Sequence, residues 1–492
     1  MLRRSAASRL WVRANRQHAH AEEEAFRDPR AAQHAALRRF LDRNADSEYG
    51  RRHGYRGIRS IEEFQARVPV VDYHDLEPWI ARAVAGEGNV LTTEPVIAVE
   101  PTSGSSGGTK LVPITRALLD EFRRGVGAWL YHLFAGRPEL LAGSHYWSIT
   151  PMHASATAID AAVPVGLGDL DYFGALSRHC LERLIELPPS DALASDIDRC
   201  VQETARHLAT CRDLAFISVW CPSLLILLAE ALPAGVTPAV AWPNLAQISC
   251  WTSAHSRRHL PRLRELFPDV PIQGKGLLAT EGIVSYPVWE GPPRLALTSH
   301  FLEFLDADGV PHLVDELEVG ARYSVLLTTG GGFARYRIGD VVEACGKGRV
   351  EFVGREGGVS DLCGEKLTEE FCRTIVEDAA REFGLRSVPF LAPEWGTPPR
   401  YLVFVEGGDT GAIARWVDRR IRRSYHYDYC RTLGQLGPIE GVPVENVTRR
   451  YLRGCESLGQ RAGTAKSLGL RREEGWRERM TTAGRSVPYG RA

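Results

Sequence analysis

The stretch Glu100–Thr115, EPTSGSSGGTKLVPIT, decides how the chain is read. Between Thr102 and Lys110 it holds hydroxyls and glycines and no apolar side chain, while both flanks, VIAVE and LVPIT, read as short strands. Glycine lets a backbone approach a ligand closely, and successive N–H groups can form a concavity for an anion, so a phosphate is the first candidate guest. A flexible hairpin turn is the alternative. A P-loop is excluded. From Gly104 the frame G-x-x-x-x-G-K-[ST] needs glycine where Thr109 sits and a hydroxyl where Leu111 sits, and the loop runs into a strand instead of a helix.

Working outward, 492 residues are enough for two or three domains, and 44% apolar with 25% charged residues is ordinary for a globular chain. A formal net charge of −1 supplies no global field to recruit nucleic acid or an anionic membrane, and no apolar run is long enough to span a bilayer. The ten cysteines are scattered without a C-x-x-C pair, and no His cluster has metal-ligand spacing, so they read as reduced core residues of a cytoplasmic protein. The first twenty residues carry five arginines and no acid, as a targeting peptide would. They run straight into more Arg-rich helical sequence, which favours the first helix of a domain. No feature calls for an obligate protein partner. Only five of 60 basic residues are lysines, at positions 110, 275, 347, 366 and 466.

Residues 1 to about 95 are helical and charged. After the loop, RALLDEFRRGVGAWLYHLFAG spaces Leu118, Leu119, Phe122, Val126, Trp129 and Leu130 on one helical face. The apolar runs LAFISVW and LAQISCW then alternate with helical stretches, the pattern of strands buried in a mixed sheet. From about residue 300 the chain is strand-rich, and beyond the glycine-rich GREGGVSDLCGEK it restarts with a helix over LTEEFCRTIVEDAAREFG. The expected fold class is α/β, with a large N-terminal domain of mixed sheets and helices over residues 1–355 and a small α+β C-terminal domain over 356–492.

Three more segments carry chemistry. QGKGLLATEG, residues 273–282, ends in Thr280 and Glu281, a hydroxyl beside a carboxylate that can bond a phosphate oxygen and hold Mg²⁺. ARYRIGDVVE, residues 334–343, places Asp340 at a strand-end turn, where it can accept both hydroxyls of a ribose, and Tyr336 where it can stack on a base. GRE, residues 354–356, puts Arg355 at the domain hinge within reach of the same ribose. Plainer readings exist for each: Thr-Glu before glycine caps a helix, Arg-Tyr-Arg is an exposed edge strand, and Asp340 satisfies a turn. Lys275, just before the Thr-Glu pair, reads equally well as solvated. No G-x-S-x-G elbow supports hydrolase chemistry. Trp129, Tyr131, Tyr146 and Trp147 are candidates for an acyl-pocket wall or for core packing.

The order of these segments resembles the adenylate-forming superfamily. More closely, FQARVPVVDYHDLEPWI, TSGSSGGTKLVPIT, WPNLAQISCWTSA, YRIGDVV and FVGREGGVSDLCGEKLTEEF resemble the auxin-responsive-promoter family of acyl-acid amido synthetases, bacterial branch, over residues 25 to 470. The resemblance implies an ATP- and Mg²⁺-dependent ligase with a mobile C-terminal lid, acting on a small-molecule carboxylic acid and an amino acid or other amine. It implies that Ser103, Ser105, Ser106 and Lys110 bind phosphates, with Thr102, Gly104, Gly107 and Thr109 completing the loop. Thr252 would border the adenine pocket and Thr280 contact the α-phosphate. Glu281 would hold the metal, Asp340 and Arg355 the ribose, and Lys466 would be the lid lysine that meets the transition-state charge. At the last position this chain departs from the family pattern, with an apparent insertion after Gln460 and no proline after the lysine. Two alternatives stand: a thioester-forming acyl-CoA or carrier-protein ligase using the same adenylation, and a catalytically silent binding or scaffold protein.

Overall fold

The computed structural model describes residues 2–103, 109–148, 161–167, 172–187, 197–356, 359–447, 450–451, 454 and 469–481. Two compact units emerge, Met1–Thr102 with Lys110–Glu356, and Ser103–Thr109 with Gly357–Ala492.

The first unit opens with helices whose starts are written locally. Asp28 accepts from Ala31 N–H ahead of Pro29–Asn44, Ser60 from Glu63 ahead of Ile61–Arg67, and Asp72 forms a capping box with Asp75 ahead of Tyr73–Val84. The Arg-rich N-terminus is a helix, Leu2–Ala25, whose fully buried Trp11 lies 5.1 Å from the Phe134 ring. Phe134 belongs to the long helix Arg116–Gly136, capped by Thr115.

Strands β1 (Ala98–Ser103) and β2 (Thr109–Ile114) pair as a ribbon. Strands β3 (Ser144–Trp147), β4 (Leu214–Ser218), β5 (Gln247–Ser249) and β6 (Ile272–Gln273) form a sheet, every pair of it parallel. The runs LAFISVW and LAQISCW thus become its two central strands, and Ile217 and Ile248 pack on its far side with Tyr146 and Trp242. A short hairpin follows, β7 (Leu278–Ala279) and β8 (Gly282–Ile283). A seven-stranded antiparallel sheet is ordered β12-β11-β13-β14-β15-β10-β9. Its strands are β9 (Ser285–Tyr286), β10 (Arg294–Leu295), β11 (Phe301–Leu305), β12 (Pro311–His312), β13 (Arg322–Thr328), β14 (Tyr336–Gly346) and β15 (Arg349–Arg355).

In the second unit β16 (Val359–Ser360) pairs with β17 (Leu367–Thr368). The helix expected to begin at Leu367 starts at Glu369 instead, because Thr368 is its N-cap and bonds Phe371 N–H. Strands β18 (Phe390–Glu394), β19 (Arg400–Val405) and β20 (Glu440–Pro443) form a second sheet, with helix Thr410–Ile421 in the connection between the parallel β19 and β20. Among the described residues no helix is long and apolar enough to cross a membrane.

Candidate active site

Asp340 does not sit at a strand-end turn. It lies inside β14, at a register shift against β13 where Gly339 takes φ +78°. A bulge of this kind re-aims a side chain without ending the strand. The carboxylate faces Arg355, its register partner on β15, with Nε 3.2 Å from Oδ1, while Arg355 Nη2 donates to Ile338 O at 2.7 Å. β14 is also no edge strand. Arg335, immediately before it, is buried and grips Glu303 through Nε and Nη2, and its Nη1 donates to the carbonyls of Gln65 and Val68. Burial pushes the Glu303 carboxyl up, and Arg335 opposes that shift.

Thr280 and Glu281 form the two-residue tip of the β7–β8 hairpin, since Leu278 pairs with Ile283 and Ala279 with Gly282. They cap no helix. The base of this hairpin is tied to the long helix by residues the sequence reading did not single out. Ile283 N–H donates to His300 Nε2 at 3.1 Å, so the imidazole proton is on Nδ1, which donates to Glu121 Oε2 at 2.8 Å. Glu121 also accepts from Gly330 N–H. A Cβ at Gly282 would stand 2.8 Å from His300 Nε2, which is why glycine follows Thr280-Glu281. A signal for this anchor was present: Glu121 falls in helical phase with Leu118, Phe122 and Gly125, a carboxylate on an apolar stripe.

Glu281 and Arg355 both act electrostatically on the Tyr336 phenol. Burial holds that phenol well above its ordinary range; the Glu281 charge adds to the shift and Arg355 opposes it, with Tyr73 and Asp72 also close enough to act. Tyr336 is only 1% exposed and its ring is tilted on Phe333, so it offers no open face on which a base could stack. Lys110 joins through Tyr73: its ammonium lies 5.3 Å over that ring, whose hydroxyl accepts from Leu111 N–H. Thr102 is buried at the end of β1. Thr252 lies past the carboxyl end of β5, so close to Gly274 that a Cβ there would stand 2.6 Å from its Oγ1. Lys275, expected equally as a solvated residue, is buried. Ser103 and Thr109 lie in strands, while Gly104, Ser105, Ser106, Gly107 and Lys466 lie outside the described residues.

Elsewhere, Glu186, His207 and Cys211 bring ligand atoms within 4.8 Å of one another. Imidazole and thiol suit a softer ion than Mg²⁺, so this trio has no part in holding that metal.

The GH3 family N-terminal domain matches residues 19–232, and the GH3 family central domain matches residues 294–355. The chain is 24% identical to a probable indole-3-acetic acid-amido synthetase, GH3.12, of Oryza sativa subsp. japonica, over 89% of this chain and 91% of that one. It is 26% identical to the indole-3-acetic acid-amido synthetase GH3.3 of Arabidopsis thaliana, over 78% of each. The solved structure of the GH3.15 acyl acid amido synthetase in complex with 2,4-DB superposes with a TM-score of 0.58 at 18% identity, over 91% of this chain and 92% of that one. The fold is that of the acyl acid amido synthetases. With the two domain matches beside it, the chain belongs to the GH3 family.

Proposed function

We propose that the chain is an acyl-acid amido synthetase that uses ATP and Mg²⁺ to join a small carboxylic acid to an amino acid or other amine. A carboxylate oxygen of the acid attacks the α-phosphorus of ATP and the bond to pyrophosphate breaks. The amine nitrogen then attacks the acyl carbon, loses a proton, and the bond to AMP breaks. The observation that carries this reading is the Asp340 carboxylate re-aimed at the β14 bulge and held by Arg355, with Nε 3.2 Å from Oδ1.

On this reading Asp340 accepts the ribose hydroxyls while Arg355 fixes its orientation, and Lys110 with the Thr102–Thr109 loop grips the β- and γ-phosphates. Glu281 at a hairpin tip, beside the Thr280 hydroxyl, is a donor set that fits a magnesium ion sharing phosphate oxygens. Such an ion, when bound, neutralises charge on the triphosphate. Thr280 contacts the α-phosphate. Tyr336 is reassigned from base stacking to the floor beneath these groups. Thr252 borders the adenine, Lys466 meets the transition-state charge, and residues 356–492 act as the mobile lid. Cytoplasmic ATP, and eight cysteines that stand outside any disulfide, suit a reducing cytoplasm.

Incubation with ATP, Mg²⁺, a library of acids and all amino acids, followed by mass spectrometry, should reveal AMP, pyrophosphate and a new amide. ADP as the product would refute the reading. A thioester formed from added CoA in place of the amide would move the chain to the thioester ligases.

A further inference from the structure

Lys275 is the only one of the five lysines buried inside the parallel sheet's surroundings among the described residues, at 4% exposure. Its ammonium donates to Ser218 Oγ at 2.7 Å and lies 5.2 Å over the ring of Trp129 and 4.8 Å over that of Trp220. An ammonium is a costly group to bury, and the Ser218 hydroxyl and two indole faces are among the groups that offset that cost.

The sheet beneath it explains the setting. Trp147 is in register with Ser218, Ser218 with Ser249, and Ser249 with Gln273. Residues in register on parallel strands share a face, so these four make one row across the carboxyl end of the sheet. Open parallel sheets receive ligands at that end. Trp129 Nε1 donates to Gln273 Oε1 at 3.2 Å, which sets the long helix over this row. Ser249 Oγ and Trp147 Nε1 are buried and make no hydrogen bond with the described residues. Trp220, by contrast, is 38% exposed, so the cover over Lys275 has a solvent side.

The row also lies at a definite place relative to the hairpin. Glu121, which anchors Thr280-Glu281 through His300, precedes Trp129 by eight residues on one helix, roughly 12 Å along its axis at 1.5 Å per residue. The hairpin anchor and the row are thus set about two turns apart on one helix.

We propose that the row seats the far end of the acid substrate, and that Lys275 selects acids carrying a second anionic oxygen, such as a distal carboxylate. This rests on the amido synthetase reading and narrows its substrate class. The flanking indoles admit a flat or aliphatic body between the two charged ends.

The test is a ladder of straight-chain dicarboxylates set against monocarboxylates of equal length. The wild-type chain should favour a long dicarboxylate by roughly tenfold or more in kcat/KM for AMP release, the size of one charge-assisted contact. In Lys275→Met that ratio should collapse, with a smaller fall in Ser249→Ala, while Lys275→Arg retains part of it. A ratio near one in the wild type, or one unchanged in Lys275→Met, overturns the proposal even though AMP release upholds the synthetase reading. Calorimetric binding of the same dicarboxylates without ATP separates the two failures. Lys275-dependent binding with no AMP from any acid keeps the site and sinks the synthetase reading. Loss of both sinks both.

Discussion

Asp340 and Arg355 face each other in register across β14 and β15, with Nε 3.2 Å from Oδ1. The guanidinium is itself pinned to the Ile338 carbonyl, so the carboxylate is aimed before nucleotide arrives. Hydrogen bonds to a charged acceptor contribute about 1.5–3 kcal/mol each, so Asp340→Ala should weaken ATP by roughly tenfold to a hundredfold in acid-dependent pyrophosphate exchange. Asp340→Asn should weaken it less. An unchanged ATP affinity in the alanine variant removes the ribose role.

Glu281 is the residue we assign to the metal. Glu281→Gln keeps the shape of the hairpin tip and lowers the charge, so the magnesium dependence of AMP release should shift to higher metal concentration and kcat should fall by about 10²-fold. Chelation of the metal should abolish wild-type turnover. A variant with the wild-type magnesium curve would place the ion elsewhere.

Lys466 is tested by Lys466→Ala. Loss of acid-dependent pyrophosphate exchange, with ATP binding retained, is the expected result. Exchange at the wild-type rate would give the role to another cation.

His300→Ala should strike the anchor without touching substrate. It strands the Ile283 N–H and leaves the Glu121 carboxylate with the Gly330 N–H but without its His300 donor, and a buried group left unsatisfied costs about 1–3 kcal/mol. A lower urea midpoint together with a fall in kcat larger than the change in KM for ATP is expected. A fall in stability alone would leave His300 a core residue.

Two buried carboxyls should make stability fall as pH rises. Burial raises Glu22 to about 7 despite donors at Leu297 N–H, Thr298 N–H and the Thr298 hydroxyl. In the second unit burial, with the Asp361 charge, raises Glu365 to about 7 against donors from Leu362, Cys363 and Tyr401. The unfolded carboxyl ionises near 4.5 while the folded one keeps its proton to about 7, so between those values the folded state binds more protons. Each group therefore contributes stability below that window that is lost across it, about 3 kcal/mol per group at 1.36 kcal/mol per pH unit. Urea midpoints measured from about pH 5 to about pH 8 should fall, and Glu22→Gln should flatten the slope. A rising midpoint over that range contradicts the assignment.

What was legible in the sequence was mostly local. The Gly/Ser loop shows its flanking strands because composition changes sharply at Thr102 and Lys110. The long helix shows its buried face because period and cap agree. The contacts that assemble the site are nonlocal. The bulge that carries Asp340 arises from how β13 pairs with β14, and nothing within YRIGDVV announces it. Thr280-Glu281 became a hairpin tip instead of a helix cap because two dipeptides on either side pair. Lys275 became a buried group because tryptophans far away in sequence, Trp129 and Trp220, close on it. Tyr336 was read by residue type, and only the packing of Phe333 shows that its ring is spent on the core.

The tie through His300 has a mechanical side. The hairpin is a short lever clamped at Ile283, and its clamp is bolted through the imidazole to Glu121 in the second turn of a 21-residue helix. The same rod carries Trp129 over Lys275 about two turns further on. The hairpin and the surroundings of Lys275 thus hang on one stiff member.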